Sequence, residues 1–292
     1  MFPVWIHNGT TPPPRDAVFY EVAANGIFLH KAMPYWKAVV PVEKIPSIAG
    51  GKPALSRLER GLLQEGKSSL ELLLPPIPGE TVKTIVRFFA WVYGEHRTEA
   101  LVLVWWNEGN RSYVLSAPPQ EIAPGGVHYR IPPREKPGCL IGTFHSHGAL
   151  GAFHSSVDVC DERFFDGIHG TLGSFSAWAG GKRSFSLSLQ AAINDTRFAL
   201  EPTEWMEGLM KTSDSRPMSN PYGVAVGGLD MDTRYYGGMY YPICLAPRFA
   251  FASGEEVLPD TYAPPREWVE NLTVEKWYGI AGTSIFRSGG GS

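Results

Sequence analysis

The chain has 292 residues, 43% of them hydrophobic and 19% charged, with a formal net charge of −3. That profile fits a globular protein of one large or two modest domains. It excludes a basic nucleic-acid binder, because no Lys/Arg run is dense enough to follow a phosphate backbone. It also excludes a membrane helix: the longest apolar stretches are interrupted, as Ile85 to Tyr93 is by Arg87, and fall short of the roughly 18 residues a span needs.

The opening MFPVWIHNGTTPPP has no basic n-region and no apolar core, so no signal peptide is expected. Cys139, Cys160 and Cys244 are odd in number and far apart, which speaks against a disulfide framework and makes a reducing cytoplasm the expected location.

Residues 1–75 read as a small β-rich module. AVFYEVAANGIFLHKA holds two β-type runs around Asn25-Gly26, a signal for a type I′ hairpin, and Ala38 to Val42 continues as a strand. Ser56 to Gln64 is a short helical candidate. A second region, 76–210, follows the proline-rich PPIPG. Val82, Ile85, Val86, Phe89, Val92 and Tyr93 share one helical face, and Gly94 is placed to end that helix. Ala100 to Trp106 (ALVLVWW) predicts a strand buried on both faces. Ser112 to Ser116, Val127 to Ile131 and Cys139 to Phe144 are further strands. A short helix is expected over Ser156 to Phe165, then strands at Thr171 to Ala179, Ser184 to Ala191 and Arg197 to Leu200, and a helix over Pro202 to Met210. In FSLSLQ the apolar residues alternate with polar ones, which predicts one buried and one wet face. The order predicts an α/β sandwich around a mixed sheet. Residues 211–287 are rich in Gly, Pro and Tyr and read as an irregular extension, with weak strand candidates near Tyr240 to Cys244 and Phe249 to Ala252. Residues 288–292 resemble a linker or tag scar.

The chemistry concentrates in HSHGALGAFHSSVD. His145 and His147, at i and i+2 on an extended segment, point to one face. Asp158 can close on them from the following helix start. Two imidazoles and one carboxylate leave a tetrahedral Zn²⁺ with one open position, as catalytic rather than structural sites do. Ser155-x-x-Asp158 also reads as a helix capping box, and the two readings are compatible, since a capped first turn puts both residues on one face. Cys160 is a candidate fourth ligand against the commoner fate of a small buried hydrophobe. His154 and His169 read as structural or as partners that orient a ligand imidazole. A zinc hydrolase needs a general base, and the upstream candidates are Glu95, Glu99, Glu108 and Glu121. Glu99 is best placed, at the entry of the buried strand; Glu121 is second, and Glu95 and Glu108 fall in turns.

Glu99 before ALVLVWW, followed by HSHGALGAFHSSVD, resembles the signature of the JAMM/MPN+ metalloproteases: a glutamate opening a strand, then His-Ser/Thr-His, seven residues, Ser, two residues and Asp. The resemblance covers about residues 80–210. EVAANGIFLHK, Pro119-Gln120 and Asp161-Glu162 add a likeness to the prokaryotic branch, in particular the A-protein family of the PRTRC cassette. The resemblance implies a JAB/MPN-like three-layer sandwich and a Zn²⁺-dependent isopeptidase or peptidase acting after the C-terminal tail of a ubiquitin-like β-grasp protein. It implies His145, His147 and Asp158 as zinc ligands, Glu99 as the base and Ser155 as the oxyanion helper. A ThiF/E1-like activating enzyme is the implied neighbour; nucleic acid and membrane are not implied partners. Gly148 stands where many eukaryotic relatives carry proline, and with Gly151 it predicts a mobile loop over the metal. No long insertion separates Asn107 from Ser112, so linkage selectivity is not carried over.

Two other readings compete. Two histidines and a carboxylate also form the facial triad of non-haem iron oxygenases, though the spacing and the expected α/β pattern argue against that class. A catalytically silent or partner-gated scaffold, with residues 211–287 covering the cleft, is the third.

Overall fold

The computed structural model describes residues 2–42, 62–132, 138–175, 184–212, 232–236, 239–243, 247–252 and 262–275. The helical candidate at Ser56 to Gln64 lies mostly outside them, as do the chain end at 288–292 and the side chains of the tyrosine-rich stretch.

The first sheet has the order β1 (Val4–Ile6), β2 (Val18–Ala23), β3 (Gly26–Met33), β4 (Trp36–Pro41) and β5 (Ser69–Leu72). The β2–β3 turn falls one residue earlier than expected, with Ala23 paired to Gly26. Neither Ala24 nor Asn25 has positive φ, so the turn is not type I′. Asn25 is committed elsewhere: its side chain donates to Gly66 O (2.9 Å) and accepts from Gly66 N (2.8 Å). One face of this sheet buries Leu29, Trp36, Ala38 and Val40 against Ile193 and Phe198 of the main body. Lys31 pairs with Asp166 across the same junction.

Helix α1 (Gly79–His96) buries Val82, Ile85, Val86, Phe89 and Val92, as the sequence predicts. Gly94 does not end it; the chain leaves through Arg97, which takes the left-handed conformation at φ 57°. Phe88, off the expected stripe, is buried because Trp268 packs edge-on against it, 5.0 Å between ring centroids.

The remaining strands are β6 (Leu101–Asn107), β7 (Ser112–Ser116), β8 (Gln120–Ala123), β9 (Gly126–Tyr129), β10 (Cys139–Ser146), β11 (Gly167–Gly173), β12 (Phe185–Ile193), β13 (Thr196–Ala199), β14 (Leu209–Lys211), β15 (Asp232–Tyr236), β16 (Met239–Ile243), β17 (Arg248–Phe251) and β18 (Leu272–Val274). The main sheet runs β14-β17-β12-β11-β10-β6-β7, with β13 paired to β12. Within it β10 and β11 are parallel and the neighbouring pairs antiparallel. Short helices α2 (Ser156–Asp161), α3 (Pro202–Trp205) and α4 (Arg266–Glu270) and a 3₁₀ turn over Glu162–Phe164 complete the described elements.

The expected helix-flanked three-layer JAB/MPN-like α/β sandwich is not formed. Strand dominates, and the main sheet curls into a half-barrel. Among the described residues α1 is the only helix longer than six residues. It covers the apolar face built from Val102, Val104, Phe144 and Leu187. Strand, not helix, covers part of the other face: Leu101, Leu103 and Trp105 pack with Val127 and Tyr129 of β9. The expected helix over Pro202 to Met210 stops at Trp205, and Met210 belongs to β14. The region after 210 is more than an irregular extension, because β17 enters the main sheet between β14 and β12 and β18 pairs with β8.

Candidate metal centre

The ladder of the main sheet fixes which side chains share a face. Residues directly opposite in register point the same way. His145 pairs with Leu101 on β6 and with Thr171 on β11, and Thr143 pairs with His169. Thr171 and His169 in turn pair with Ser188 and Gln190 of β12. Thr143, His145, His169, Thr171, Ser188 and Gln190 therefore form one polar stripe, on the sheet face turned away from α1. Serines expected to be wet are partly sealed: Ser186 is buried, and its hydroxyl accepts from Ala152 N at 2.8 Å.

His147 lies just beyond the end of β10, and its N–H donates to Leu172 O at 2.7 Å. This keeps it in step with His145, and the two imidazoles meet with their Nε2 atoms 3.2 Å apart. Asp158 reaches both, Oδ1 at 3.3 Å from His145 Nε2 and Oδ2 at 3.4 Å from His147 Nε2. The capping box is what delivers it: Ser155 Oγ accepts from Asp158 N (3.2 Å) and Ser155 N donates to Asp158 Oδ2 (2.6 Å). Burial opposes ionisation of Asp158, but the hydrogen bonds from His145 and His147 outweigh it and hold the carboxyl well below the usual carboxylate range.

Among the described residues this is the one group of three or more His, Cys, Asp or Glu side chains whose ligand atoms converge, all within 4.8 Å. Two imidazoles and an ionised, half-buried carboxylate suit a divalent transition metal, and the donor types alone do not choose between zinc and iron. Cys160 is exposed and outside the group.

Glu99 precedes β6, and its N–H donates to Ala123 O at 3.0 Å. Ala100 and Ser146 continue the ladder, with Ser146 N donating to Ala100 O (2.9 Å) and Ala100 N to Ser146 Oγ (3.0 Å). Glu99 is the next residue outward from Ala100, and its buried carboxyl lies within electrostatic reach of His147 and Asp158. Burial pushes the Glu99 carboxyl up to about 7; His147 pulls it down and Asp158 pushes it up. Glu95, Glu108 and Glu121 are exposed, so Glu99 is the one buried carboxylate of the four candidates.

The loop between His147 and Ser155 is tied down rather than loose. Leu150 N donates to His147 O (2.9 Å), Ser174 N to Leu150 O (2.6 Å) and Phe175 N to Gly148 O (2.9 Å). Gly148 sits at φ +53°, and a Cβ there would lie 3.0 Å from the Tyr93 ring. Proline, with φ fixed near −65°, does not fit this backbone.

Several contributors were not legible as site residues. Gln120 replaces a strand neighbour for Leu101, accepting from its N–H (2.8 Å) and donating to its C=O (2.9 Å). Thr171 Oγ1 lies 3.3 Å from His145 Nε2. Glu162 is buried and takes His154 Nδ1 at 2.7 Å on one oxygen and Arg197 on the other. The Asp161-Glu162 pair was visible as acid; only register, which brings Arg197 to the same face, gives it a partner. His169 accepts or donates at Thr143 Oγ1 (2.9 Å) and is not drawn into the triad.

No protein-family model matches this chain, and no curated protein matches it. Among the described residues no helix is long and apolar enough to cross a membrane.

Proposed function

We propose that the chain is a zinc-dependent amide hydrolase of the JAMM type, cleaving a peptide or isopeptide bond after the extended tail of a ubiquitin-like β-grasp protein in the cytoplasm. The observation that carries this reading is the meeting of a buried glutamate, raised towards neutrality, with a His–His–Asp ligand set. Zn²⁺ in that set would polarise a carbonyl and lower the pKa of water at its open position. Glu99 accepts a proton from the attacking water and returns it to the departing amine; a carboxyl poised near neutrality can do both. Ser155 supports the oxyanion. Its Oγ accepts the cap bond from Asp158 N, which leaves its O–H proton to donate.

A protein substrate suits the surroundings. The segment that carries Asp158 also carries two exposed apolar side chains, Val157 and Phe164, the latter 87% exposed. The JAMM likeness rests on the motif and its chemistry rather than on the sandwich architecture. A ThiF/E1-like enzyme as neighbour follows from the same likeness.

The test is incubation of the full chain, zinc-loaded, with candidate ubiquitin-like proteins bearing a short C-terminal extension, read by intact mass. Release of the extension by wild type and its loss in Glu99→Gln with zinc retained is the expected outcome. Wild type that binds zinc and cuts none of them would overturn the proposal. Metal analysis of protein purified without added metal, with O₂ consumption, separates hydrolase from iron oxygenase.

A further inference from the structure

His145 Nε2 has three polar neighbours at almost one distance. His147 Nε2 is 3.2 Å away, Asp158 Oδ1 3.3 Å and Thr171 Oγ1 3.3 Å. The first two belong to the ligand set, and nothing in the hydrolytic scheme above uses the third. A tetrahedral shell with bonds of about 2.0–2.1 Å separates its donors by about 3.3–3.4 Å. The Thr171 hydroxyl therefore stands off His145 by the spacing that two donors of one shell keep. The strands hold it there: Thr171 is paired with His145 of β10 on one side and with Ser188 of β12 on the other. Its branched side chain has few rotamers to choose from.

Two simpler roles fit less well. A residue that orients a ligand imidazole binds the ring nitrogen that does not meet the metal. Thr171 is on Nε2, the atom that His147 and Asp158 also face. Nor is the contact a well-made hydrogen bond. Bonds between N–H or O–H donors and oxygen acceptors end at about 3.2 Å, and this one is longer. Thr171 is fully buried, and among the described residues its hydroxyl has no other partner. Once Nε2 serves a metal, even this weak contact is lost, and a buried oxygen needs a new partner.

We propose that Thr171 is a fourth protein donor to the metal, through Oγ1, beside His145, His147 and Asp158. This rests on the metal-centre reading above and adds a ligand to it. A neutral hydroxyl bonds through a lone pair and keeps its proton, as the Ser/Thr hydroxyl of a phosphate-binding loop does on Mg²⁺. It is a hard, uncharged oxygen and so a weaker donor than the imidazoles or the carboxylate. With it the chain supplies four donors, and the position left for substrate is the fifth.

Co²⁺ is a suitable probe, because its visible bands strengthen as coordination falls from five to four. The full chain is titrated with Co²⁺ in the presence of a competing chelator, which gives affinity and spectrum together. Expected is one Co²⁺ per chain in wild type, Thr171→Val and Thr171→Ser, and loss of that metal in His145→Ala. Thr171→Val keeps the branched shape without the oxygen; its bands should intensify and its affinity should fall about tenfold, the loss of one weak donor. Thr171→Ser keeps the oxygen and should return both towards wild type. An unaltered spectrum or an unaltered affinity in Thr171→Val overturns the role of Thr171 and leaves the metal centre standing. Failure of wild type to take up cobalt overturns the metal centre and this proposal together. Neither readout depends on cleavage, so the hydrolase reading stands or falls separately. A crystal structure of the zinc-loaded full chain gives a check that needs no variant. Thr171 Oγ1 within about 2.5 Å of the zinc supports the assignment, and a longer separation overturns it.

Discussion

The buried carboxyl of Glu99 lies within electrostatic reach of His147, just outside the last regular β6–β10 pair, His145 with Leu101. Its backbone is held by the bond from Glu99 N to Ala123 O. Since Glu99 is not itself in the ligand group, Glu99→Gln should keep stoichiometric zinc and lose about 10²- to 10⁴-fold in kcat, the usual worth of a general base. Metal analysis beside turnover of a tail-extended ubiquitin-like protein checks both halves. Glu99→Gln at full activity would move the role elsewhere, with Glu121 next to test.

The same burial makes Glu99 a liability in the metal-free protein. Its folded-state pKa, about 7, lies above the ordinary value of 4.5, so the folded chain binds more protons across that interval. The stability from protonated Glu99 is fully present below about pH 4.5 and is lost as pH rises through about 7. Chelator-treated Glu99→Gln should accordingly be more stable than chelator-treated wild type at about pH 8, by up to roughly 3 kcal/mol, and the gain should vanish near about pH 4.5. Urea midpoints of both proteins at the two pH values measure it. Zinc should shrink the difference, because a cation beside the carboxylate favours its charged form.

Ser155 holds Asp158 by the capping box and is assigned the oxyanion as well. Ser155→Ala should cost about 1 kcal/mol of stability through the lost cap. It should also weaken zinc binding, since the lost bond from Asp158 N to Ser155 Oγ fixes the first turn of α2 that carries the carboxylate, while the Ser155 N–H bond to Oδ2 stays. Ser155→Thr keeps the cap and the hydroxyl and should restore zinc affinity. Competition with a chromophoric chelator reports the affinities, and an unchanged value in Ser155→Ala would detach the cap from metal binding.

The local pieces of the site were legible and its setting was not. His145, His147, Ser155, Asp158 and Glu99 could be picked out because each follows from short-range rules: strand alternation, a capping box, the start of an apolar run. Register was not available from one sequence, so nothing signalled that Arg197 would meet Glu162, some thirty-five positions earlier, or that Gln120 would stand in for a strand. The fold class failed for a related reason. ALVLVWW is apolar on both faces, which fits a strand between two helical layers equally well as one covered by α1 on one side and partly by β9 on the other. Trp268 and β17 lie far along the chain in a stretch with little periodicity, and their places against α1 and in the main sheet come from tertiary contact alone.

Gly148 is required by backbone shape. At φ +53° a side chain would be strained, and its Cβ would press on Tyr93 at 3.0 Å. Gly148→Ala should cost about 1–2 kcal/mol, the penalty of the left-handed conformation for an L-residue. Gly148→Pro should cost more and weaken zinc binding, because the turn after His147 must rebuild. Thermal melts with and without zinc distinguish this from a neutral exchange; a Gly148→Pro variant as stable as wild type would show that the loop has a second, proline-compatible path.

His169 should leave a mark on acid stability that is separate from the metal. Its ring is buried on Thr143, and burial lowers its pKa from 6.5 to about 4, with Glu162 opposing. Between those values the unfolded chain binds a proton that the folded chain refuses, so stability falls as pH drops from about 6.5 to about 4 and then levels off for this group. The whole interval is worth up to roughly 3 kcal/mol. His169→Gln keeps an acceptor or donor for Thr143 without a titrating ring, and its stability should be flatter with pH over that window. Urea midpoints of chelator-treated wild type and His169→Gln, taken at several pH values between about 7 and about 4, test it. Parallel curves for the two proteins would mean that His169 is protonated in the folded state after all, and that its buried Nε2 finds a partner on acidification.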